Sequence, residues 1–403
     1  MRKYQMYRTI MVLFLGVFVT LAGCSKKGAN IESQPSVTPI TTDEEVKNTE
    51  KGYELPISNS QKEAADKKCR EKMGLLAEIY QSAEKGSTLN VSISTETRSK
   101  MLEQITETGV PVVISNVLSN MGNYKQVEAF LNQVKQGQKA SVTIYEIHSD
   151  GGIGQKEFSY DGTDMYLLYT CGVWGEESKT ITTSFSYNRV ENWEYTDKGW
   201  FIYELCVPEF PEVTEEIIGY GMLRIRPLPE EQLDFCREYL LPIGYQGNNL
   251  FVTEWEEQHM EKINYNQLFQ YLYEIKCQKP FDEPLYEEGI EKEEFEQMME
   301  EFLPVTREII ENTAVFDETK DNYEWKRLGC MNYSPYAFAT SIPEIVTQKV
   351  NKDGTITYTI DAVCELLGTD RAFSHELTVR KLENGKVKYI CNHILYEGEN
   401  KDA

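Results

Sequence analysis

The sequence predicts an α+β protein made of two bodies, each with helices packed on an antiparallel β-meander. Apolar residues recur at spacings of three and four over residues 60–137 and 292–310, as on one face of a helix. They alternate with polar residues over residues 141–206 and 344–396, as along half-buried strands. Glycine-containing turn signals separate these strands, and strands joined by short turns must be antiparallel.

Shifts in composition divide the chain into five segments. Ser, Thr, Pro, Asn and charged residues dominate after the N-terminal apolar run, which is typical of a disordered tether. The stretch between the two helix-and-strand regions has a mixed pattern, and we expect it to connect the bodies and to pack on the first sheet. The predicted segments are a signal peptide (1–23), a disordered tether (24–57), an N-terminal α+β domain (58–210), a mixed connecting segment (211–279) and a C-terminal α+β domain (280–403).

The N-terminus has the pattern of a bacterial lipoprotein signal. Three cations precede an apolar run at residues 10–21, and Leu21, Ala22 and Gly23 lead directly into Cys24. A bilayer core requires about 20 apolar residues in a helix, so this run is too short to span a membrane. We therefore expect cleavage before Cys24, whose thiol takes a diacylglycerol group and acyl chains such as palmitate. The alternative is an ordinary secretory signal and a product released from the membrane.

This signal predicts a chain held on the extracytoplasmic face of the cell membrane, with the lipid on Cys24 as the link to its membrane partner. The formal net charge is −24, and so acidic a surface repels nucleic acid and anionic lipid heads. We therefore expect no nucleic-acid partner. Solubility alone accounts for the charge, so the charge does not by itself indicate an acidic recognition surface.

In the N-terminal domain the apolar spacing predicts three helices. Ser60 and Glu63 fit a capping box at the start of the first helix, which should end at Gly86. The second helix should end at Gly109, and the third should cover residues 123–137. The strands predicted after them cover residues 141–147, 156–160, 164–171, 179–187, 190–196 and 200–206.

The C-terminal domain repeats this plan, although no residue-level repeat accompanies it. A helix at residues 292–302 and a further turn of helix after Pro304 should precede the second meander. The strands predicted in it cover residues 344–350, 355–365, 372–381 and 386–396.

The four histidines offer few ways to build a zinc site. A two-residue turn at residues 384–385 would pair His375 with Ile394 across the last hairpin. His375 and His393 would then point to opposite faces of the sheet. We therefore expect no metal site there, and interpret His375 as a core or rim residue beside apolar strand neighbours.

Eight cysteines remain besides Cys24, out of nine in the chain. An even number outside the cytoplasm permits disulfides, but no two of these cysteines are close in sequence and there is no C-x-x-C pair. Several, such as Cys69 and Cys171, fall on apolar faces, where a free cysteine behaves as a small hydrophobe. We expect most of them to be reduced core residues.

Two stretches carry a resemblance to known proteins. Residues 329–335 (GCMNYSP) and 369–380 (TDRAFSHELTVR) resemble parts of clostridial, Gram-positive surface lipoproteins that form an uncharacterised family of unknown function. The helix-then-meander layout of residues 292–396 is similar to the nuclear transport factor two-like and cystatin-like α+β domains. The resemblance implies a lipid anchor and a two-part body, and it implies no activity.

The sequence contains none of the common catalytic or cofactor motifs. It lacks a G-x-S-x-G elbow, a Walker loop, an H-E-x-x-H pair and an EF-hand calcium loop. We expect no cofactor and no catalytic residue, and we interpret the chain as a binding or interaction module for a protein, peptide or cell-wall ligand. The alternative is an extracytoplasmic enzyme with a pocket in the C-terminal domain, which would be cone-shaped as in the domains it resembles. A transporter-linked solute-binding protein is disfavoured, because that class needs alternating βαβ units.

One candidate ligand site can be placed in the C-terminal domain. Asp370 and Arg371 are predicted in a turn between strands, and Asn332 and Tyr333 in a loop before the sheet. The planar guanidinium of Arg371 suits a carboxylate or phosphate, and the amide and phenol groups could complete the site. Alternatively, Arg371 pairs with Asp370 or a nearby Glu, and the two loop residues only pack.

Overall fold

The computed structural model describes residues 50–86, 91–175, 179–325, 336–383 and 385–398. It confirms the predicted α+β class, since two antiparallel-rich sheets each pack against helices. Cys24, Asn332 and Tyr333, three of the residues predicted to form sites, lie outside the described residues.

The N-terminal sheet has seven strands that follow one another in sequence order. They are β1 (Val112–Ile114), β2 (Ala140–Ile147), β3 (Ile153–Tyr160), β4 (Met165–Trp174), β5 (Thr180–Tyr195), β6 (Trp200–Leu205) and β7 (Tyr220–Arg224). β1 is parallel to β2 and the later pairs are antiparallel, as the turn signals predict. β5 is one continuous strand where the sequence suggested two. Its first part pairs with β4 and its last part with β6, and the bulge after Val190 lies where the pairing partner changes.

Three helices pack on this sheet: α1 (Asn59–Ser82), α2 (Thr95–Thr106) and α3 (Lys125–Lys135). The predicted capping box at Ser60 is wrong by two residues. The Ser58 hydroxyl accepts a hydrogen bond from the backbone N–H of Gln61, whose side chain accepts one from the backbone N–H of Ser58. Both serines precede a Glu or Gln by three residues, so the sequence pattern alone fits either position.

The helices cover opposite faces of the sheet. α1 buries Cys69 and Met73 against the face that carries Ile153. α3 buries Phe130 against the other face, which carries Phe158. Side chains alternate along a strand, so β3 contributes to both cores.

The end of the predicted tether is ordered, so that prediction is wrong for residues 50–57. Tyr53 and Leu55 are 7% and 8% exposed. The backbone N–H of Leu55 donates to the carbonyl of Tyr187 at 2.8 Å, and the N–H of Arg189 donates to the carbonyl of Gly52 at 2.7 Å. The chain thus extends along the free edge of β5 and satisfies its backbone groups before α1 begins.

Residues 211–279 divide between the two bodies. β7 joins the first sheet as expected, whereas the rest packs in the second body, contrary to expectation. This part contains α4 (Glu230–Phe235), a π-helical turn (Cys236–Leu240), β8 (Trp255–Glu256) and α5 (Tyr265–Cys277). The apolar face of α5 buries Leu268 and Phe269 in the C-terminal core, which offers them the larger apolar surface.

The C-terminal body contains a five-stranded sheet in the order β12-β13-β14-β15-β8 and a small sheet in the order β10-β11-β9. Its elements are a 3₁₀ turn (Glu283–Tyr286), β9 (Ile290–Glu291), α6 (Lys292–Phe302), α7 (Arg307–Thr313), β10 (Phe316–Asp317), β11 (Asn322–Tyr323), β12 (Ile342–Val350), β13 (Ile356–Cys364), β14 (Thr369–Lys381) and β15 (Val387–Tyr396). The rings of Phe269 on α5 and Phe295 on α6 stack with centroids 5.6 Å apart. Helices and meander thus enclose one core.

The last hairpin pairs His375 with Ile394, as predicted. Its turn is wider than the predicted two residues, since the N–H of Leu382 donates to the carbonyl of Lys386 at 2.8 Å. A bulge after Thr378 restores the predicted register toward the middle of the strands.

The cysteines of the described residues are free thiols, in agreement with the expectation of reduced residues. Four of them are buried: Cys69, Cys206, Cys236 and Cys364. Cys171 and Cys391 are half-buried and Cys277 is exposed.

Candidate functional site

The predicted site residues Asp370 and Arg371 belong to β14 instead of the turn before it. Asp370 Oδ1 lies 3.3 Å from Lys198 Nζ. The guanidinium of Arg371 lies over the Tyr396 ring, 5.2 Å from its centroid, and Arg371 Nε lies 3.8 Å from Asp361 Oδ1. Among the described residues, Arg371 therefore does pair with a carboxylate, but with Asp361 and not with Asp370 or a Glu. Because the two loop residues lie outside the described residues, the four-residue anion site stays a prediction.

Asp370 is part of a buried polar group that joins the two bodies, which we call the junction cluster. Lys198, in the turn between β5 and β6, lies 2.8 Å from Asp361 Oδ2 and also donates to the carbonyl of Asp370. Arg224 Nε on β7 lies 3.3 Å from Glu344 Oε2 on β12. The members of the cluster are Lys198, Trp200, Arg224, Glu344, Asp361 and Asp370.

Desolvation dominates the electrostatics of the junction cluster. Glu344 is 1% exposed, and burial raises the pKa of its carboxyl although Arg224 opposes the shift. Burial likewise lowers the pKa of Arg224 although Glu344 opposes that shift. A cavity of about 210 Å³ adjoins Lys198 and Asp370. It is smaller than the range of about 300–1,000 Å³ typical of ligand pockets, so the cluster is best interpreted as an interface between the bodies.

A second cleft, of about 450 Å³, lies on the N-terminal sheet and has the size of a ligand pocket. We call it the tyrosine cleft. Its walls are formed by Gly52, Leu55, Pro56, Ser159, Tyr160, Asp161, Tyr166, Tyr187 and Arg189.

The strand register explains why these side chains converge. Ser159 pairs with Tyr166 and Tyr166 pairs with Arg189, so the three lie in one row across β3, β4 and β5. Tyr187 lies two residues before Arg189 and shares its face. The rings of Tyr166 and Tyr187 have centroids 5.8 Å apart. Gly52, Leu55 and Pro56, which precede α1 at Asn59, form the opposite wall.

The cleft presents neutral aromatic groups and one cation. Burial raises the pKa of both Tyr166 and Tyr187, so both phenols are neutral near pH 7. Within the described ranges, no carboxylate oxygen lies within 4.0 Å of the Arg189 guanidinium, whose side chain bonds to Cys206. The carboxylate of Asp161 accepts hydrogen bonds from backbone groups of its own turn. Arg189 is therefore the group in the cleft suited to an anionic part of a ligand.

None of the residues of the tyrosine cleft was predicted from the sequence. Two signals were present: Tyr187 and Arg189 two residues apart in an alternating run, and 25 tyrosines in the chain. Neither signal locates the cleft without the pairing of β4 with β5 and the position of the segment before α1.

The two C-terminal histidines serve separate partners. His375 Nδ1 lies 2.6 Å from Asn392 Oδ1, and His393 Nδ1 lies 2.7 Å from Glu254 Oε1. In the part of the chain that the structure describes, no three His, Cys, Asp or Glu side chains are placed to hold a metal ion. None of the helices within those residues is both long and apolar enough to cross a bilayer.

These features define an α+β protein of two helix-covered sheets, with a charged junction and a ligand-sized cleft lined by tyrosines. The chain belongs to the family of unknown function DUF6070, whose model matches residues 62–403. No curated protein and no solved structure matches it. The function of the family is unknown, so the function of this chain has to be argued from the site.

Proposed function

We propose that the protein is a lipid-anchored lipoprotein of the extracytoplasmic face of the cell membrane and a binding module that holds its ligand in the tyrosine cleft. The signal pattern ending at Cys24 supports the anchor. The observation that carries the binding function is the cleft itself, about 450 Å³ in volume and lined by Tyr160, Tyr166, Tyr187 and Arg189.

The lining favours binding over catalysis. It supplies aromatic faces, hydroxyl groups and one guanidinium, which recognise a ligand without activating a nucleophile, and its one carboxylate, Asp161, is bonded to the backbone of its own turn. The alternative, an extracytoplasmic enzyme with its pocket in the C-terminal body, has less support. The buried acidic and histidine side chains described there are each bonded to neighbouring side chains: Glu296, Glu344, Asp361 and His375.

The ligand class follows from the groups in the cleft. The faces of aromatic rings are partly negative and attract the C–H groups of a sugar ring or of a peptide. Arg189 is suited to a carboxylate, and its planar fork favours that group over a neutral one. We infer a cell-wall saccharide that carries a carboxylate.

The position of the cleft agrees with a membrane anchor. Gly52, Leu55 and Pro56 form one wall, so the cleft lies directly before α1, at the N-terminal end of the described residues. The 26 positions from Cys24 to Glu50 would span on the order of 30 Å as a random coil. The ligand would therefore be met close to the membrane surface.

The anchor is tested by the intact mass of the protein extracted from membranes. Diacylglyceryl and acyl groups on a chain that begins at Cys24 are expected. Cys24→Ser should release the body or leave the signal uncut, whereas an unchanged membrane fraction and mass would contradict the anchor.

The binding function is tested by calorimetric titration of the full-length protein in detergent with soluble muropeptides. Tyr166→Ala and Tyr187→Ala should each weaken binding, since each removes part of the aromatic lining. Tyr220→Ala is the matched control, because Tyr220 is 37% exposed on β7 of the same sheet and away from the cleft. Equal losses in all three variants, or no binding by the unmodified chain, would contradict the proposal.

We also propose that the C-terminal body is of the nuclear transport factor two-like or cystatin-like kind and that the family belongs to Gram-positive surface lipoproteins. The support is the order of α5 and α6 before the antiparallel β12–β15 meander. An experimental structure superposed on such domains tests this, and a different strand order would contradict it.

A further inference from the structure

Cys171, His148 and Tyr169 meet on the sheet face opposite the tyrosine cleft, and we call them the thiol cluster. Cys171 and Tyr169 belong to β4, and His148 directly follows β2. Cys171 is paired across the strands with Gly154, and His148 Nε2 lies over Gly154, so the imidazole lies beside the Cys171 side chain. The side chains of His148, Thr183 and Tyr169 all lower the pKa of the Cys171 thiol. The Tyr169 hydroxyl lies 3.4 Å from His148 Nε2, so the three side chains form one connected group.

A glycine provides the room for this arrangement. Gly154 of β3 is paired with Cys171 on one side and with Glu146 on the other. A Cβ atom added to Gly154 would lie 2.8 Å from His148 Nε2 and 3.0 Å from the Tyr169 ring. The imidazole and the phenol therefore occupy the space above Gly154, and the imidazole lies beside the thiol.

The charged groups around the cluster favour a proton on His148. Glu146 on β2 and Asp150 in the following turn both raise the pKa of His148 by their charge. Lys156 on β3 lies 2.6 Å from Glu146 and neutralises part of that effect. Burial alone would lower the pKa of His148, but the effects of the Cys171 side chain and of the charge of Glu146 outweigh it, and the net shift is upward.

The pKa of the Cys171 thiol is lowered, which favours the thiolate beside a protonated His148. Burial alone would raise the pKa of Cys171, but the effects of the His148, Thr183 and Tyr169 side chains outweigh it and the net shift is downward. Cys69 and Cys236 show the contrast, since burial raises the pKa of each to about 12. Cys171 is also half-buried, where those two are fully buried.

We propose that Cys171 and His148 form a thiolate–imidazolium pair that makes Cys171 a reactive thiol, a site of thiol–disulfide exchange with small disulfides. The thiolate of Cys171 attacks one sulfur of the disulfide and forms a mixed disulfide. The S–S bond of the small molecule breaks, and its other half leaves as a thiolate that takes up a proton from His148 or water. Cys171 is oxidised and the released half is reduced, so electrons balance. This inference is independent of the binding function.

The test is the rate at which Cys171 forms a mixed disulfide with oxidised glutathione, measured by peptide mass spectrometry on the full-length protein in detergent. An ordinary thiol slows roughly 50-fold between about pH 8.5 and about pH 6.5, as its thiolate fraction falls. Cys171 should slow less than about fivefold over that range. A slowing as large as that of an ordinary thiol, or no reaction while exposed Cys277 reacts, would overturn the proposal.

Two variants test whether the reactivity of Cys171 depends on His148 or has another cause. His148→Gln should slow Cys171 several-fold at pH 6.5, because it removes the imidazole that favours the thiolate, and it should leave Cys277 unchanged. Gly154→Ala should act in the same direction, because its methyl group displaces the end of the His148 side chain. Gly74→Ala is the matched control, since nothing lies within 4 Å of a Cβ atom there. If both variants fold and Cys171 keeps its rate, the pair does not exist.

Discussion

The indole Nε1 of Trp200 donates a hydrogen bond to Glu344 Oε2 at 2.9 Å, and this contact joins the N-terminal sheet to the first strand of the C-terminal sheet. Glu344 also pairs with Arg224 of β7. Burying a carboxylate without partners would cost free energy, and the contacts of Glu344 with Trp200 and Arg224 offset that cost. The two bodies are thus held together by specific polar contacts in addition to the small apolar cluster around Trp200 and Ile202.

Glu344→Ala should lower the free energy of unfolding by about 3–5 kcal/mol. The substitution leaves the charge of Arg224 and the N–H of Trp200 buried without their partner. Unfolding in guanidinium chloride, followed by tryptophan fluorescence, measures the loss. Glu191→Ala, at an exposed position of β5, is the control and should change stability by less than about 0.5 kcal/mol. A loss for Glu344→Ala as small as that of the control would contradict the role given to this contact.

His375 should make the protein less stable as the pH falls below 6.5, the pKa of this side chain in the unfolded chain. Burial lowers the pKa of His375 to about 4 in the folded protein. The unfolded chain therefore binds a proton first, so the stability present above pH 6.5 is lost on acidification toward pH 4. The shift corresponds to at most about 3 kcal/mol.

Two variants isolate this effect in unfolding curves recorded between pH 7 and pH 4. His375→Gln should be less stable at pH 7 but show a shallower pH dependence than the natural chain. His393→Gln, the control, should leave the contribution of His375 in place, because the His393 side chain is 45% exposed and pairs with Glu254 instead of with the core around His375. Equal slopes in all three proteins would show that His375 is not buried in the neutral form.

Ser58→Ala should cost about 1 kcal/mol of stability, whereas Ser60→Ala should cost a few tenths at most. Of the two serine hydroxyls, it is that of Ser58 that accepts a bond from the backbone at the start of α1. Thermal unfolding of the two variants compares them directly. A larger loss in Ser60→Ala would restore the capping box that the sequence pattern first suggested.

The regular elements were predictable because their periodicity is strong. The pairing of His375 with Ile394 was predicted correctly from a turn that was too short, since a later bulge compensates. The segment before α1 was not predictable in the same way. Tyr53 and Leu55 belong to a run (YELPI, residues 53–57) too short to show a period, and their docking along β5 is what buries them.

The sites were harder to predict because they depend on contacts distant in sequence. Lys198 is separated by 163 residues from Asp361, the carboxylate with which it pairs. The tyrosine cleft combines strand residues with a segment more than a hundred residues earlier in the chain, so periodicity within one strand cannot reveal it. Sequence reasoning thus identified Asp370 and Arg371 as polar groups of interest without their partners.

Hydrogen exchange of the full-length protein, with and without soluble muropeptides, is the direct test of whether a cell-wall ligand binds in the tyrosine cleft. Binding in the tyrosine cleft should protect backbone amides of residues 52–56 and of β3, β4 and β5 near Ser159, Tyr166 and Arg189. The C-terminal sheet should exchange as before. Protection confined to the C-terminal body, or binding with no protection around the cleft, would contradict the account.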